Sequence, residues 1–386
     1  MICYKCMNQY NGEVCNLCGF DSRTYQPIPT ALMPETLLRK NYLLGRVLGK
    51  GGFGITYIAY DFKGKRRVAI KEYFPSSIVT RDATRTTKVE TITDAEVYHN
   101  TVQKFYNEAK ILSQLNDVPA IVKIYDFFCE NNTAYIVMEY IAGHDVSEIV
   151  KSEGKQDLTT TFNIYYPIME ALEAVHARGI LHRDLSPTNI RVDKHFRPKL
   201  LDFGSARAYS DQMSVDMTVF LKEGFTPIEQ YQRSGKHKPT EDIYALCASI
   251  YYTLTGKIPP NAFDRTTFDT IKPFSSFGVQ LPEAMERVIM KGLAVYAEMR
   301  YQSVTDLMHD FKEAFIGIPQ EPTSVDPAQA EPGQAVPGRA DPRQGMPGHA
   351  DPGQAVPGRA DPGQAVPGRG DPGRADPGSD PYGSRP

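Results

Sequence analysis

Residues 180–189 read Ile180-Leu181-His182-Arg183-Asp184-Leu185-Ser186-Pro187-Thr188-Asn189. The stretch has the character of a loop carrying a carboxylate, Asp184, and five residues later an amide, Asn189. A carboxylate so placed can accept a proton from an attacking hydroxyl, and an amide oxygen can bind a metal ion. Upstream, residues 164–178 have helical apolar spacing at Ile168, Leu172 and Val175 and stop at Gly179, so a helix delivers the loop. Downstream, Lys199-Leu200-Leu201-Asp202-Phe203-Gly204 puts a second carboxylate after a short strand. Either carboxylate alone would be an ordinary surface residue; their order and spacing give them meaning.

Farther upstream, Tyr42 opens a strand-like pattern that runs into Gly49-Lys50-Gly51-Gly52-Phe53-Gly54. Glycines at the first, third and sixth positions let a hairpin approach phosphate oxygens without intervening side chains. A dinucleotide fold would need a helix directly after them, but Ile55-Thr56-Tyr57-Ile58-Ala59 is β-branched and aromatic, hence strand. Val68-Ala69-Ile70-Lys71 then ends an apolar run in a lysine, and residues 105–112 have the spacing of a helix that carries Glu108.

These strings, in this order, resemble the signatures of the protein kinase family. The resemblance covers about residues 42–315 and is nearest the bacterial Ser/Thr kinases, on Thr226-Pro227-Ile228-Glu229-Gln230-Tyr231 among others. It implies an α+β, two-lobed kinase fold, with a small β-rich N-lobe (about 41–140) and a larger helical C-lobe (about 141–317). The implied activity is ATP- and Mg²⁺-dependent transfer of the γ-phosphoryl group to Ser/Thr hydroxyls of protein substrates, with autophosphorylation. The resemblance makes Asp184 the base, Asn189 and Asp202 the Mg²⁺ ligands, and Lys71 the phosphate-binding cation oriented by Glu108, for which Glu96 is the poorer candidate. It lays ATP against Leu48, Gly49, Lys50, Gly51, Gly52, Phe53, Gly54, Thr56, Ala69 and Lys71. Met138 would limit the back of the pocket, main-chain groups of Glu139 and Ile141 would meet adenine, and Asp145 the ribose. Glu229 is expected to pair with Arg300, and Asp242 to begin a helix and hold the catalytic loop.

The chain also departs from the family. Most Ser/Thr kinases carry a lysine two residues after the catalytic aspartate, where this chain has Ser186. Serine brings no positive charge, and charge stabilisation is the main resource of phosphoryl transfer. Alignment back from Glu229 puts Lys222 where a threonine is usual, so Lys222 is the candidate replacement. Arg183 either meets a phosphate on the activation segment, with Ser205, Ser210, Ser214 and Thr218 as the available hydroxyls, or bonds backbone carbonyls only.

Outside this region, Cys3-x-x-Cys6 and Cys15-x-x-Cys18 have the spacing of a four-sulfur zinc ribbon over residues 1–22. Two disulfides or four free thiols are the alternatives; with no secretory signal, structural Zn²⁺ is expected, and the ribbon either docks an unknown partner or caps the N-terminus. Residues 23–40, with Pro27, Pro29 and Pro34, suggest a linker, and the stretch from Pro75 to about Val97 a hairpin or mobile insertion. Cys129 and Cys247 are expected in the core. Residues 318–386 form a Pro/Gly-rich tail with a decapeptide repeat, clearest at Asp351–Ala360 and Asp361–Gly370. It has too little apolar surface to order itself and is expected to be disordered; Thr323 and Ser324 are possible acceptor sites. The 386 residues are 41% hydrophobic, which suits a globular core, and the net charge of −3 gives no reason to expect a nucleic-acid or membrane-surface partner. No apolar run reaches bilayer length, so a cytoplasmic location is expected. The competing functional class is a pseudokinase scaffold acting through the ribbon and tail; a small-molecule phosphotransferase is disfavoured by the full motif set.

Overall fold

The computed structural model describes residues 1–82, 85–89, 92–203, 221–231 and 237–317. Its first lobe is built on six antiparallel strands: β1 (Leu37–Leu38), β2 (Tyr42–Lys50), β3 (Gly54–Asp61), β4 (Arg66–Tyr73), β7 (Ile124–Glu130) and β8 (Thr133–Glu139). Their order across the sheet is β1-β2-β3-β4-β8-β7. The middle strands β3 and β8, and β4 from Val68 on, are almost wholly buried, which is why Val, Ile, Ala and Tyr dominate them rather than an alternation. Helix α1 (Ile92–Leu112) turns Tyr98, Phe105, Ala109 and Leu112 into the core at helical spacing. Tyr73 of β4 stacks on Tyr98 at 5.8 Å and meets Phe105 at 5.4 Å.

The stretch after Pro75 is a hairpin, β5 (Val79–Arg81) pairing with β6 (Thr87–Val89), and α1 follows. Arg81 ties it down: its guanidinium donates to Glu72 at 2.8 Å and to the carbonyl of Thr30 at 2.8 Å. Glu72, fully buried, also accepts from the hydroxyls of Tyr57 (2.7 Å) and Tyr135 (2.9 Å). A buried carboxylate with three such donors is satisfied, and it locks the hairpin to the sheet.

Two expectations need correction. Residues 23–40 are packed rather than a free spacer: Ala31, Leu32 and Leu38 are buried, Leu32 donates its amide to the Tyr57 hydroxyl at 3.0 Å, and Leu37–Leu38 form β1. Few residues carry that packing, so a Pro/Thr-rich composition masked it. Cys129 is exposed, whereas Cys247 is fully buried as expected. Cys129 lies on β7, an edge strand, one residue past buried Phe128, so the two-residue period turns it outward.

The second lobe is helical: α2 (Val146–Glu153), α3 (Leu158–His176), α4 (Pro239–Thr255), α5 (Glu283–Gly292) and α6 (Val304–Ile316). Helix α4 is buried on all sides from Thr240 to Thr255, and its run from Ile243 to Leu254 is apolar apart from Ser249 and Thr253. Among the described residues, no helix is long and apolar enough to cross a membrane. A small antiparallel sheet, β9 (Gly143–Asp145), β10 (Ile190–Asp193) and β11 (Pro198–Leu200), lies in the order β11-β10-β9. The 180–189 loop joins α3 to β10 and Asp202 follows β11, so this sheet sets both carboxylates in place.

Candidate active site

The loop is held from below by one buried carboxylate. Asp242, near the start of α4, accepts from the amide of His182 at 2.8 Å and that of Arg183 at 2.7 Å. Its Oδ2 also lies 2.7 Å from Nε2 of His176, the last residue of α3. Burial pushes the Asp242 carboxyl up, but the bond and charge of His176 and the loop amides outweigh it and hold the pKa below the usual value. Arg183 needs such a grip, because its φ of 63° lies in the left-handed region. His182 is fully buried, its ring 4.6 Å from that of Phe203. Burial lowers its pKa. Its two ring bonds match the neutral tautomer: Nε2–H donates to the carbonyl of Leu201 at 2.8 Å and Nδ1 accepts from the amide of Asp184 at 3.3 Å. Asp242 was legible as an anchor for the loop. His176 was not, since a lone histidine at a helix end carries no signal.

Asn189 donates Nδ2 to the Asp184 carboxylate at 2.9 Å and to its carbonyl at 2.8 Å, so a metal contact falls to its Oδ1. With the Asp202 carboxylate this makes an all-oxygen donor set, which fits magnesium. Lys71 pairs with Asp202 at 2.7 Å. Burial works against the Lys71 charge, but Asp202, then Glu108 and Asp184, raise its pKa above the ordinary lysine value. Asp202 is pushed up by burial and pulled lower by Lys71, with smaller help from Lys222; its pKa ends below the ordinary value. Glu108, expected to orient Lys71, sits half-buried on α1 and acts on it through its charge, while the 2.7 Å bridge goes to Asp202.

Gly49, Lys50, Gly51, Gly52, Phe53, Gly54 and Thr56 form the β2–β3 hairpin over a cleft of about 590 Å³. Lys71, Asp145, Asp184, Thr188, Asp202 and Lys222 line the same cleft, whose size suits a nucleotide. Leu48 is half-buried on β2, and Ala69 and Met138 are buried and paired across β4 and β8. The amide of Glu139 donates to the carbonyl of Lys123 at 2.8 Å, so a base contact there falls to its carbonyl. The Ile141 carbonyl accepts from Arg191 Nε at 2.9 Å, so its contact falls to the amide. Asp145 caps α2 by accepting the amide of Glu148 at 2.8 Å, and burial raises its pKa.

Beyond the loop, Glu229 pairs with Arg300 at 3.2 Å, as expected, and the Arg300 side chain is fully buried. Arg183 Nη2 lies 2.7 Å from Nε2 of His237, and its Nε has no partner among the described residues. Gly204, Ser205, Ser210, Ser214, Thr218, Thr323, Ser324 and the repeat tail fall outside the described residues.

At the N-terminus, the four Sγ atoms of Cys3, Cys6, Cys15 and Cys18 lie within 4.8 Å of one another, and none is in a disulfide. Two matching turns bring them together: Met7 donates to the Cys3 carbonyl and Gly19 to that of Cys15, each at 2.8 Å. The Cys3–Cys18 and Cys6–Cys15 Sγ separations are 3.6 and 3.7 Å. A tetrahedron with zinc–sulfur bonds of about 2.3 Å has edges of about 3.8 Å, so the four thiols fit that ion. The knuckle rests on β2. Arg46 donates its amide to the Tyr4 carbonyl at 2.8 Å, and Val47 donates to the Tyr25 hydroxyl at 3.2 Å. Tyr4, Phe20 and Tyr25 meet edge-on at 6.3–6.5 Å between centroids. Nothing in the sequence singled out this contact.

A family profile described as "Protein kinase domain" matches residues 42–288. The serine/threonine-protein kinase PrkC of Bacillus subtilis is 30% identical over 283 residues, 71% of this chain and 40% of the relative. The serine/threonine-protein kinase PknB of Mycobacterium tuberculosis is 31% identical over 301 residues, 75% of this chain and 45% of the relative. This chain therefore spans less than half the length of these relatives. The solved structure titled "PpkA-294 apo form" superposes with a TM-score of 0.67 at 29% identity, covering 73% of this chain and 99% of that one.

Proposed function

Because the chain belongs to the protein kinase family, we propose that it transfers the γ-phosphoryl group of ATP to Ser/Thr hydroxyls of protein substrates, itself included. The observation that carries this is the convergence of the glycine hairpin, the Lys71–Asp202 pair and the Asp184–Asn189 pair on one cleft. The hairpin covers the phosphates, Lys71 binds them, and Glu108 adds to the carboxylate surroundings that keep Lys71 charged. The purine is held by the Glu139 carbonyl and the Ile141 amide against Leu48, Ala69 and Met138, and Asp145 faces the ribose. Asp184 orients the acceptor hydroxyl and takes its proton as the oxygen attacks the γ-phosphorus; ADP leaves with the electrons of the broken bond. Asn189 and Asp202 would hold magnesium, which neutralises phosphate charge when bound. Residues 1–22 form a structural zinc ribbon, 41–317 the kinase domain and 318–386 a tail outside it, and the location is cytoplasmic. Labelled ATP with Mg²⁺ tests the reading. Label entering protein, and lost in both Asp184→Asn and Lys71→Met, is the expected result. Nucleotide binding with no transfer to any acceptor would overturn it in favour of a scaffold.

A further inference from the structure

The catalytic loop of this chain lacks a cation of its own at Ser186, yet the place is filled. Lys222 reaches in from the segment that follows residues 204–220 and puts Nζ 3.0 Å from Asp184 Oδ2 and 2.9 Å from Ser186 Oγ. It lines the nucleotide cleft opposite the glycine hairpin, and its side chain is 31% exposed, open to a ligand there. Ser186 Oγ lies 2.9 Å from Thr188 Oγ1, so two small hydroxyls make the room that the ammonium occupies. A lysine at position 186 would compete for that same space.

The backbone that presents Lys222 is firmly built. Lys222 donates its amide to Thr226 Oγ1 at 3.0 Å, and its carbonyl accepts the amides of Phe225 and Thr226, both at 3.0 Å. Gly224 has φ of 77°, and a Cβ there would lie 2.4 Å from the carbonyl of Pro259, so the turn admits only glycine. Glu229 and buried Arg300 then fasten the segment to the helical lobe.

We propose that Lys222 is the catalytic cation of phosphoryl transfer, and that it and Ser186 are an exchanged pair: the charge usual two residues after the aspartate is carried by the activation segment. This rests on the kinase function proposed above. As the acceptor oxygen bonds to the γ-phosphorus and the bond to the ADP oxygen breaks, Asp184 takes the hydroxyl proton. Lys222 donates a hydrogen bond to a γ-phosphoryl oxygen and keeps its own proton throughout. Positioning the cation on this segment also makes catalysis depend on the turn at residues 222–226.

The test compares four proteins, wild type, Lys222→Thr, Ser186→Lys and the double variant, by kcat, KM for ATP and affinity for MgADP with and without aluminium fluoride, a mimic of the transferring phosphoryl group. Losing one charged donor to the transition state is expected to lower kcat about 10²–10³-fold. The aluminium fluoride complex should weaken by a similar factor, while MgADP binding stays within about threefold, since uniform binding is untouched. The double variant should regain at least about tenfold over Lys222→Thr, because its ammonium returns from the catalytic loop instead. Its recovery also shows that loss in the single variant is not misfolding. Lys222→Thr with wild-type turnover, or one that weakens MgADP and the mimic equally, would overturn the inference and leave the kinase function standing. A wild type that binds nucleotide but transfers no phosphate would overturn both.

Discussion

Replacing Asp242 by asparagine keeps the shape of the side chain and removes its charge. The carboxylate now accepts from three donors, the amides of His182 and Arg183 and Nε2 of His176, at 2.7–2.8 Å. An asparagine offers one oxygen and one NH₂ group, so at least one of those donors must face another donor. A buried donor without an acceptor costs about 1–3 kcal/mol, and the remaining bonds lose their charge assistance, so the expected loss is about 2–4 kcal/mol. Arg183 is also released from its left-handed φ of 63°, which shifts the loop that carries Asp184. Displacement of about 1 Å at a reacting group is worth about 10²-fold in rate, so kcat should fall far more than KM for ATP changes. Urea unfolding at neutral pH and steady-state kinetics read the two effects. The pH sign follows from the depressed pKa: the Asp242 contribution is full above the ordinary carboxylate value near 3.8 and is lost as pH falls through its lower folded value. The stability gap between wild type and Asp242→Asn should therefore narrow in acid. An asparagine variant within about 0.5 kcal/mol of wild type, with unchanged kcat, would refute this account of the loop.

Three further outcomes are expected. Gly45→Ala would bring a Cβ to 2.5 Å from the Tyr4 carbonyl and from Met7 Sδ; it should cost about 1–3 kcal/mol and speed proteolytic release of the ribbon, measured by timed digestion. The purified protein should carry zinc by elemental analysis, and Cys6→Ser should lose it and lower Tm; a metal-free wild type of equal Tm would refute the ribbon. Arg300→Met should cost about 3–5 kcal/mol, because it strands Glu229 and the carbonyls of Ala294, Val295 and Thr240 in or near the core. Glu229→Ala should cost less, since Arg300 keeps those three carbonyls; denaturant midpoints of the two variants decide the order.

Much of the fold and of the cleft was legible because its parts are short and contiguous. The glycine run 49–54, Val68–Lys71 and 182–189 each carry their chemistry within a few residues, and the strand after the glycines already excluded a dinucleotide fold. The edge-strand exposure of Cys129 was not legible, because a two-residue period puts neighbours on opposite faces and composition does not say which faces out. The Tyr4–Arg46 contact and the Glu72 network were likewise hidden, since each joins residues from separate elements with no local pattern between them.

Sequence by itself determined the family likeness, the loop carboxylate and amide at Asp184 and Asn189, the strand lysine Lys71, the second carboxylate Asp202, the paired cysteines and the missing cation at Ser186. It named Lys222 only as a candidate, by counting back from Glu229. Tertiary structure decided that Lys222 stands at Asp184 although 38 residues separate them, and that Lys71 bridges to Asp202 across 131. It also seated the cysteine knuckle on β2. The physical reason is that a motif is set by local backbone geometry. Where a long flexible side chain ends is set by the register of distant strands and the turn that presents it.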